Sequence, residues 1–76
     1  VKVYPNPTTG ELFWESLDES ISTIKVYNAL GQLQLQLPAS DQRIELSDLV
    51  DGLYWVQFLD ANSKMLAVKA VRLIRN

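Results

Sequence analysis

The chain has 76 residues, with 7 basic and 9 acidic side chains, a net charge of −2 and a hydrophobic share of 47%. It contains no cysteine and no histidine, which excludes disulfide scaffolds, thiol catalysis, histidine-based triads and zinc sites built from those ligands. It also lacks the run of about 20 apolar residues that a transmembrane helix needs. We expect one small domain over residues 1–76 and, since it starts without an initiator Met, a fragment of a larger protein.

The first two predicted strands are separated by a proline corner. Alternating residues predict a strand over 1–4, and it stops at Pro5-Asn6-Pro7 because the prolines fix their own φ angles and bias the preceding residues toward extended geometry. Gly10 then opens a second strand over 11–16. Its alternation places Trp14 on the face that enters the core.

A hairpin is predicted in the middle of the chain. The strand that ends at Asn28 is separated by a short turn from an alternating run that follows Gly31. Asn28 suits the first position of a type I turn, and Gly31 suits the left-handed residue after it. The period of two predicts that Leu33, Leu35 and Leu37 all face the core.

A short strand, a crossing loop and a central strand come next. The strand covers 42–46, and the loop that follows it ends at Gly52. Residues 53–59 are apolar on both faces, as expected of a strand in the middle of a sheet. Tyr54 lies where immunoglobulin-like sandwiches keep a tyrosine that hydrogen-bonds back across the corner, so we predict this hydrogen bond for its hydroxyl.

The last predicted strand, over 64–73, is irregular. Its apolar residues change face between Ala70 and Val71, so either a bulge reverses the strand or apolar side chains remain outside. Charge is uneven as well, because residues 1–63 carry 3 basic and 9 acidic side chains and residues 64–76 carry 4 basic and no acidic ones. The sequence therefore predicts a basic closing strand on an acidic body.

These elements together predict the fold class. Seven short strands with turn signals about every ten residues are typical of an all-β, seven-stranded antiparallel immunoglobulin-like β-sandwich. No segment has a convincing helical period. Unpaired strand edges in such a fold leave self-association open.

The side chains offer no recognisable catalytic, metal or cofactor site. Carboxylates come close in sequence at Glu11 and Glu15 and at Asp48 and Asp51, but solvated positions in strands and turns explain them more simply than an acid–base pair. A net acidic chain with one basic strand is also a poor nucleic-acid binder. We therefore expect no enzyme activity and no cofactor, and we expect neither nucleic acid nor a small-molecule substrate as a partner.

Four short motifs follow one another along the chain. They are Val3-Tyr4-Pro5-Asn6-Pro7-Thr8-Thr9-Gly10, Val26-Tyr27-Asn28-Ala29-Leu30-Gly31-Gln32, Leu46-Ser47-Asp48-Leu49 with Gly52-Leu53-Tyr54-Trp55-Val56, and Lys69-Ala70-Val71. In this order and at these spacings they resemble the type A C-terminal sorting domain of cargo proteins of the type IX secretion (Por) system of Bacteroidota. The resemblance covers the whole chain.

This resemblance implies a secretion signal that is recognised as a folded domain. Such a domain follows a secreted cargo, is recognised in the periplasm by the type IX outer-membrane translocon, and is removed by a sortase-like peptidase that attaches the cargo to the cell surface. It is then found in the periplasm in transit, and afterwards at the outer membrane surface or outside the cell. The motif positions that the resemblance assigns to recognition are Pro5, Asn6, Pro7, Gly10, Asn28, Gly31, Gly52, Tyr54, Lys69 and Val71.

The basic last strand and the Pro5-Asn6-Pro7 corner are our candidates for the recognition surface. The glycines and Tyr54 have structural explanations, whereas a surface lysine contributes little to stability. A recognition strand at a sheet edge can pair backbone to backbone with a receptor. We therefore expect Lys69→Ala or Val71→Glu to abolish export while the melting temperature stays nearly unchanged.

Two other classes of function stay open. Phe13, Tyr27 and Trp55 would present rings to sugars if they lay outside the core, as in a carbohydrate-binding or adhesive module, although rings in such places also cover neighbouring strands. The domain could also be a passive spacer or a protein-interaction module. Glycan binding by the isolated domain tests the first class, and export of a fused reporter tests the second.

Overall fold

The computed structural model describes residues 1–18 and 20–75 and contains seven strands in two antiparallel sheets. The smaller sheet has the order β1-β2-β5 and the larger has the order β4-β3-β6-β7. The predicted all-β sandwich is confirmed. The strands are β1 (Lys2–Tyr4), β2 (Glu11–Glu15), β3 (Thr23–Asn28), β4 (Leu33–Pro38), β5 (Arg43–Glu45), β6 (Gly52–Leu59) and β7 (Met65–Leu73). None of the described residues forms a helix long and apolar enough to cross a membrane.

One core lies between the two sheets and is built from alternate residues of the strands. Trp14 of β2 and Ile44 of β5 join Val56 and Phe58 of β6 in a single buried cluster. The Trp14 ring lies 5.3 Å from the Phe58 ring, and its indole N–H donates to the Asp41 carbonyl at 3.0 Å. The predicted inward orientation of Trp14 is confirmed, and its polar atom finds the partner that a buried indole needs.

The irregular last strand contains a bulge. The register between β6 and β7 shifts near the start of β7, where one extra residue is accommodated. Beyond this point Val71 and Leu73 are fully buried, and Val68 and Ala70 face outward. The pairing is regular from Ala67 to Leu73, so no bulge separates Ala70 from Val71. The second alternative therefore holds: Val71 and Leu73 enter the core, and apolar side chains such as Val68, 44% exposed, remain outside.

A second bulge corrects the prediction for Leu33. Between β3 and β4 the register shifts, so that Val26 pairs with Leu35 but Tyr27 pairs with Leu33. Paired residues share a face of the sheet. Leu33 therefore lies on the outer face beside Tyr27 and is 48% exposed, whereas Leu35 and Leu37 pack against the core as predicted.

The hairpin turn between β3 and β4 forms as the sequence predicts. Gly31 has a φ of 82°, in the left-handed region, and its N–H donates to the Asn28 carbonyl at 3.0 Å. The Asn28 side-chain oxygen accepts the backbone N–H groups of Leu30 and Gln32 at 3.0 and 2.9 Å. Asn28 thus holds the turn closed, and Gly31 supplies the conformation that closes it.

The crossing loop before β6 is fixed by two side chains. The Tyr54 hydroxyl donates to the Val50 carbonyl, so the predicted tyrosine corner is confirmed. From the chain end, the Arg75 guanidinium forms an ion pair with Asp51 at 2.8 Å and donates to the carbonyl of Leu46 at 3.1 Å. Among the cations of the basic closing segment, Arg75 therefore contributes to the stability of the fold.

Candidate recognition site

The proline corner carries the chain from one sheet to the edge of the other. β1 pairs with β2 in the smaller sheet, and the chain then turns through Pro5-Asn6-Pro7, where both X-Pro peptide bonds are cis. Directly after the corner, Thr8 forms a parallel bridge with Leu73 of β7. The corner and the basic last strand, which the sequence separates by more than fifty residues, are therefore neighbours.

Asn6 joins the corner to β7 through its side-chain amide. Its Nδ2 donates to the Ala70 carbonyl at 2.9 Å, and its Oδ1 accepts the Arg72 backbone N–H at 3.1 Å. These contacts span 64 and 66 residues of sequence. The amide offers one donor and one acceptor in the spacing of a peptide group, so Asn6 acts as a short added strand on this edge.

Thr8 continues this pairing and is the residue that sequence reasoning missed. Its backbone N–H donates to the Arg72 carbonyl, and its carbonyl accepts the Ile74 N–H, both at 2.9 Å. Its side chain is 1% exposed; the hydroxyl donates to the Glu11 carbonyl at 2.6 Å and accepts the Gly10 N–H at 3.1 Å. The sequence signal that could have indicated this role is a threonine between a proline and a nearby glycine, because short hydroxyl side chains often form hydrogen bonds with the backbone of a turn.

These contacts restrict where a receptor strand can pair with β7. Backbone groups of alternate residues in a strand point to the same side. The backbone N–H and carbonyl of Arg72 point away from β6, toward the open edge of the sheet, where they are bonded to Asn6 and Thr8. By the same alternation the backbone N–H and carbonyl of Val68 also point toward this edge, and no described residue bonds them. The edge is open around Val68 and closed from Ala70 onward, so backbone pairing along the whole strand, which the sequence suggested, is not available in this structure.

Lys69 occupies a core-facing position at the edge of the sandwich. It lies directly opposite Val56, which is fully buried, but Lys69 itself is only half-buried. None of the ion pairs within residues 1–18 and 20–75 includes it. A lysine placed in this way keeps its ammonium in water by extending past the open side of the sandwich. Inward-pointing charges on edge strands also hinder edge-to-edge association, which gives Lys69 a second physical role.

The structure contradicts the expectation for Val71. Its side chain has no exposed surface and lies opposite Tyr54 within the core. A glutamate at this position would bury a carboxylate without a partner, which destabilises a small domain strongly. The prediction that Val71→Glu leaves the melting temperature unchanged is therefore wrong, and Val71 presents no side-chain surface to a partner.

Gly10 has a structural task beside the corner. Its φ is 149°, and a Cβ atom there would lie 3.3 Å from the Ser47 hydroxyl oxygen. Its carbonyl accepts the Leu46 N–H at 2.7 Å, which ties the corner to the start of the crossing loop. Gly52 begins β6 opposite Leu73 of β7. Both glycines thus lie next to the segment where the chain ends meet.

The motif residues converge in one row across the larger sheet. Asn28 of β3 pairs with Tyr54 of β6, and Tyr54 pairs with Val71 of β7. Beyond Val71, Asn6 binds the residues on either side of it, Ala70 and Arg72. Four segments that are distant in sequence therefore meet at one end of the larger sheet.

Comparison with known protein families gives a match over nearly the whole chain. The model of the secretion system C-terminal sorting domain matches residues 2–71. The chain belongs to this family. A search of curated proteins finds no significant match.

Membership in the sorting-domain family defines the function at a coarse level. The chain is a C-terminal sorting signal for type IX secretion, and its family is one of secretion signals rather than enzymes. A signal of this kind implies export out of the cell, together with interaction with the type IX machinery and an upstream cargo. The match ends at Val71, so the Arg75 contacts lie outside the matched part.

Proposed function

We propose that this sorting domain is recognised as a folded unit by the outer-membrane translocon of the type IX system, and that a sortase-like peptidase then removes it and attaches the upstream cargo to the cell surface. In this account the domain passes through the periplasm as part of a larger secreted protein. It acts as a substrate of the machinery and performs no chemistry itself.

The observation that supports this proposal best is the meeting of the proline corner with β7. Asn6 binds both Ala70 and Arg72, so the recognition surface we propose exists only when the first and last segments of the chain are folded together. A signal built in this way distinguishes a complete domain from a truncated or unfolded one. The machinery would then reject chains in which either end is missing.

The cations of β7 supply the charge of this surface. Lys69 and Arg72 form no ion pair with any residue in the described ranges, whereas Arg75 is bound to Asp51. Unpaired charges at the rim of an interface steer association and set selectivity more than they set affinity. We therefore propose that Lys69 and Arg72 carry the positive charge that a receptor recognises.

A reporter fusion tests the proposal. Residues 1–76 are placed behind a reporter with an inner-membrane signal, in a host with a type IX system, and the reporter is measured in the periplasm and outside the cell. Export of the fusion is the expected result. A reporter that stays in the periplasm, with the domain folded, would contradict the proposal, and a fusion without the domain serves as the control.

The alternative of sugar binding gains little from the geometry. Phe13 lies in the smaller sheet, where its ring stacks on Tyr4 at 5.9 Å, whereas Tyr27 and Trp55 pair with each other in the larger sheet. The three rings therefore form no common platform. Binding of the isolated domain to a glycan array, abolished by Trp55→Ser, would support this alternative, and a flat array would count against it.

A further inference from the structure

The outer face of the larger sheet carries an apolar row that the corner and the edge of β7 do not account for. Leu33, Tyr27, Trp55 and Ala70 stand side by side across its four strands. Trp55 is 41% exposed and Leu33 is 48% exposed. Where one face of an antiparallel sheet is solvated, its outward positions are normally polar. This row departs from that rule on every strand of the sheet.

A shallow groove of about 520 Å³ lies on the same face. Aromatic residues and methionine are enriched at protein interfaces, and contiguous exposed apolar patches mark interaction sites. In this groove the aromatic residues and the methionine lie next to one another. It is lined by Tyr27, Gly31, Trp55, Gln57, Met65 and Val68.

The charges are divided between the two sheets. The strands of the larger sheet carry three cations, Lys25, Lys69 and Arg72, and no acidic residue. The strands of the smaller sheet carry three glutamates against two cations. Lys25 and Arg72 point to the outer face, and neither belongs to an ion pair in the described part of the chain. The apolar row is thus flanked by free positive charge.

We propose that this face docks onto an acidic protein surface of the type IX machinery, one that presents apolar side chains to Trp55 and carboxylates to Lys25 and Arg72. This inference rests on the proposed function and adds a partner chemistry to it. A second copy related by a two-fold axis would bring the cations of the face against one another without an acid to compensate them. A neutral sugar would leave those cations without a role.

The small area of this face indicates a transient contact. Four strands at the usual spacing and about six residues of length cover roughly 350 Å², against about 800 Å² per partner in a stable interface. β7 belongs both to this face and to the corner site through Ala70 and Arg72. One partner that touches both would approach the area of a specific interface, and either contact alone would be weak.

The test compares two variants of the exported reporter fusion. Trp55→Ser removes the central ring of the row, and we expect about tenfold lower export, because aromatic residues at the centre of an interface carry much of its affinity. Lys25→Glu replaces attraction by repulsion, and we expect about fivefold lower export. Matched controls on the outer face of the smaller sheet, Phe13→Ser and Lys2→Glu, are expected to leave export unchanged.

Melting temperatures separate folding from docking. Both variants must stay folded at the growth temperature, and export normalised to the folded fraction is the quantity compared. Export of Trp55→Ser at the level of the unaltered fusion would overturn the docking face while leaving the proposed function intact. Export of Lys25→Glu at the level of the unaltered fusion would overturn the proposal that the partner surface is acidic. Retention of the unaltered fusion would overturn the proposed function and this inference together.

Discussion

At the scale of single residues, two short polar side chains hold the ends of the chain together. Asn6 substitutes for a strand on the edge of β7, and Thr8 places a fully bonded hydroxyl in the core. Neither position looks special in composition or alternation. Their importance comes from where the corner delivers them, because a buried polar group stabilises only when each of its hydrogen bonds is made.

Replacement of Thr8 by valine tests the role of its hydroxyl. Valine keeps the shape of the side chain but leaves the Gly10 N–H and the Glu11 carbonyl without their partner. We expect the free energy of unfolding to fall by about 1–3 kcal/mol, measured by urea denaturation. Thr8→Ser, which keeps the hydroxyl, should retain most of the free energy of unfolding. Thr9→Val, at an exposed neighbouring position, should lower it only slightly. Equal stability of the Thr8→Val and Thr8→Ser variants would show that the hydroxyl bonds are not what stabilises the corner.

At the scale of elements, alternation predicted every strand and failed where a bulge intervened. Leu33 was expected in the core and lies outside, because the register shift beside Tyr27 moves it to the other face. Val71 was expected to face a partner and is buried for a different reason, because regular alternation from Ala67 to Leu73 places it opposite Tyr54 in the core. A bulge depends on which strand lies alongside, so a single segment's pattern does not reveal it. The tyrosine corner and the turn at Gly31 were predictable because their signals are local.

The turn at Gly31 makes a prediction about the β3–β4 hairpin. A β-branched residue is strained at a φ of 82°, so Gly31→Val should lower the free energy of unfolding by about 1 kcal/mol or more. Ala29→Val, at an exposed position in the same turn, is the matched control. Thermal unfolding of both variants measures the difference. If the two substitutions cost the same, the backbone conformation of Gly31 is not the cause.

Lys69 gives a prediction about the edge of β7. Lys69→Ala should lower export while the melting temperature stays nearly unchanged, because the lysine lies at the rim and has no ion-pair partner in the described ranges. Its removal also frees an edge strand, so sedimentation should show more self-association at high concentration. Lys69→Arg should restore both properties. Loss of export that merely follows loss of folding would contradict a recognition role for this charge.

At the scale of the whole molecule, the domain brings its two ends and its two turn motifs to one end of the larger sheet. Sequence motifs were sufficient to suggest the family, and alternation was sufficient to suggest the sandwich. Neither indicated that Asn6 would bind Ala70 and Arg72, since pairing across 64 and 66 residues depends on how the sheets stack. The apolar outer face was foreseen only in part, because the alternation placed Leu33 in the core and left open whether the Trp55 ring lies outside it.

The most direct measurement compares export of the unaltered reporter fusion with export of the fusion that carries Val71→Glu. The unaltered domain should deliver the reporter outside the cell. The variant should unfold, since it buries a carboxylate beside Tyr54, and its reporter should remain in the periplasm. Retention of the unaltered fusion, or equal export of the unfolded variant, would contradict the claim that this chain is a sorting signal read in its folded form.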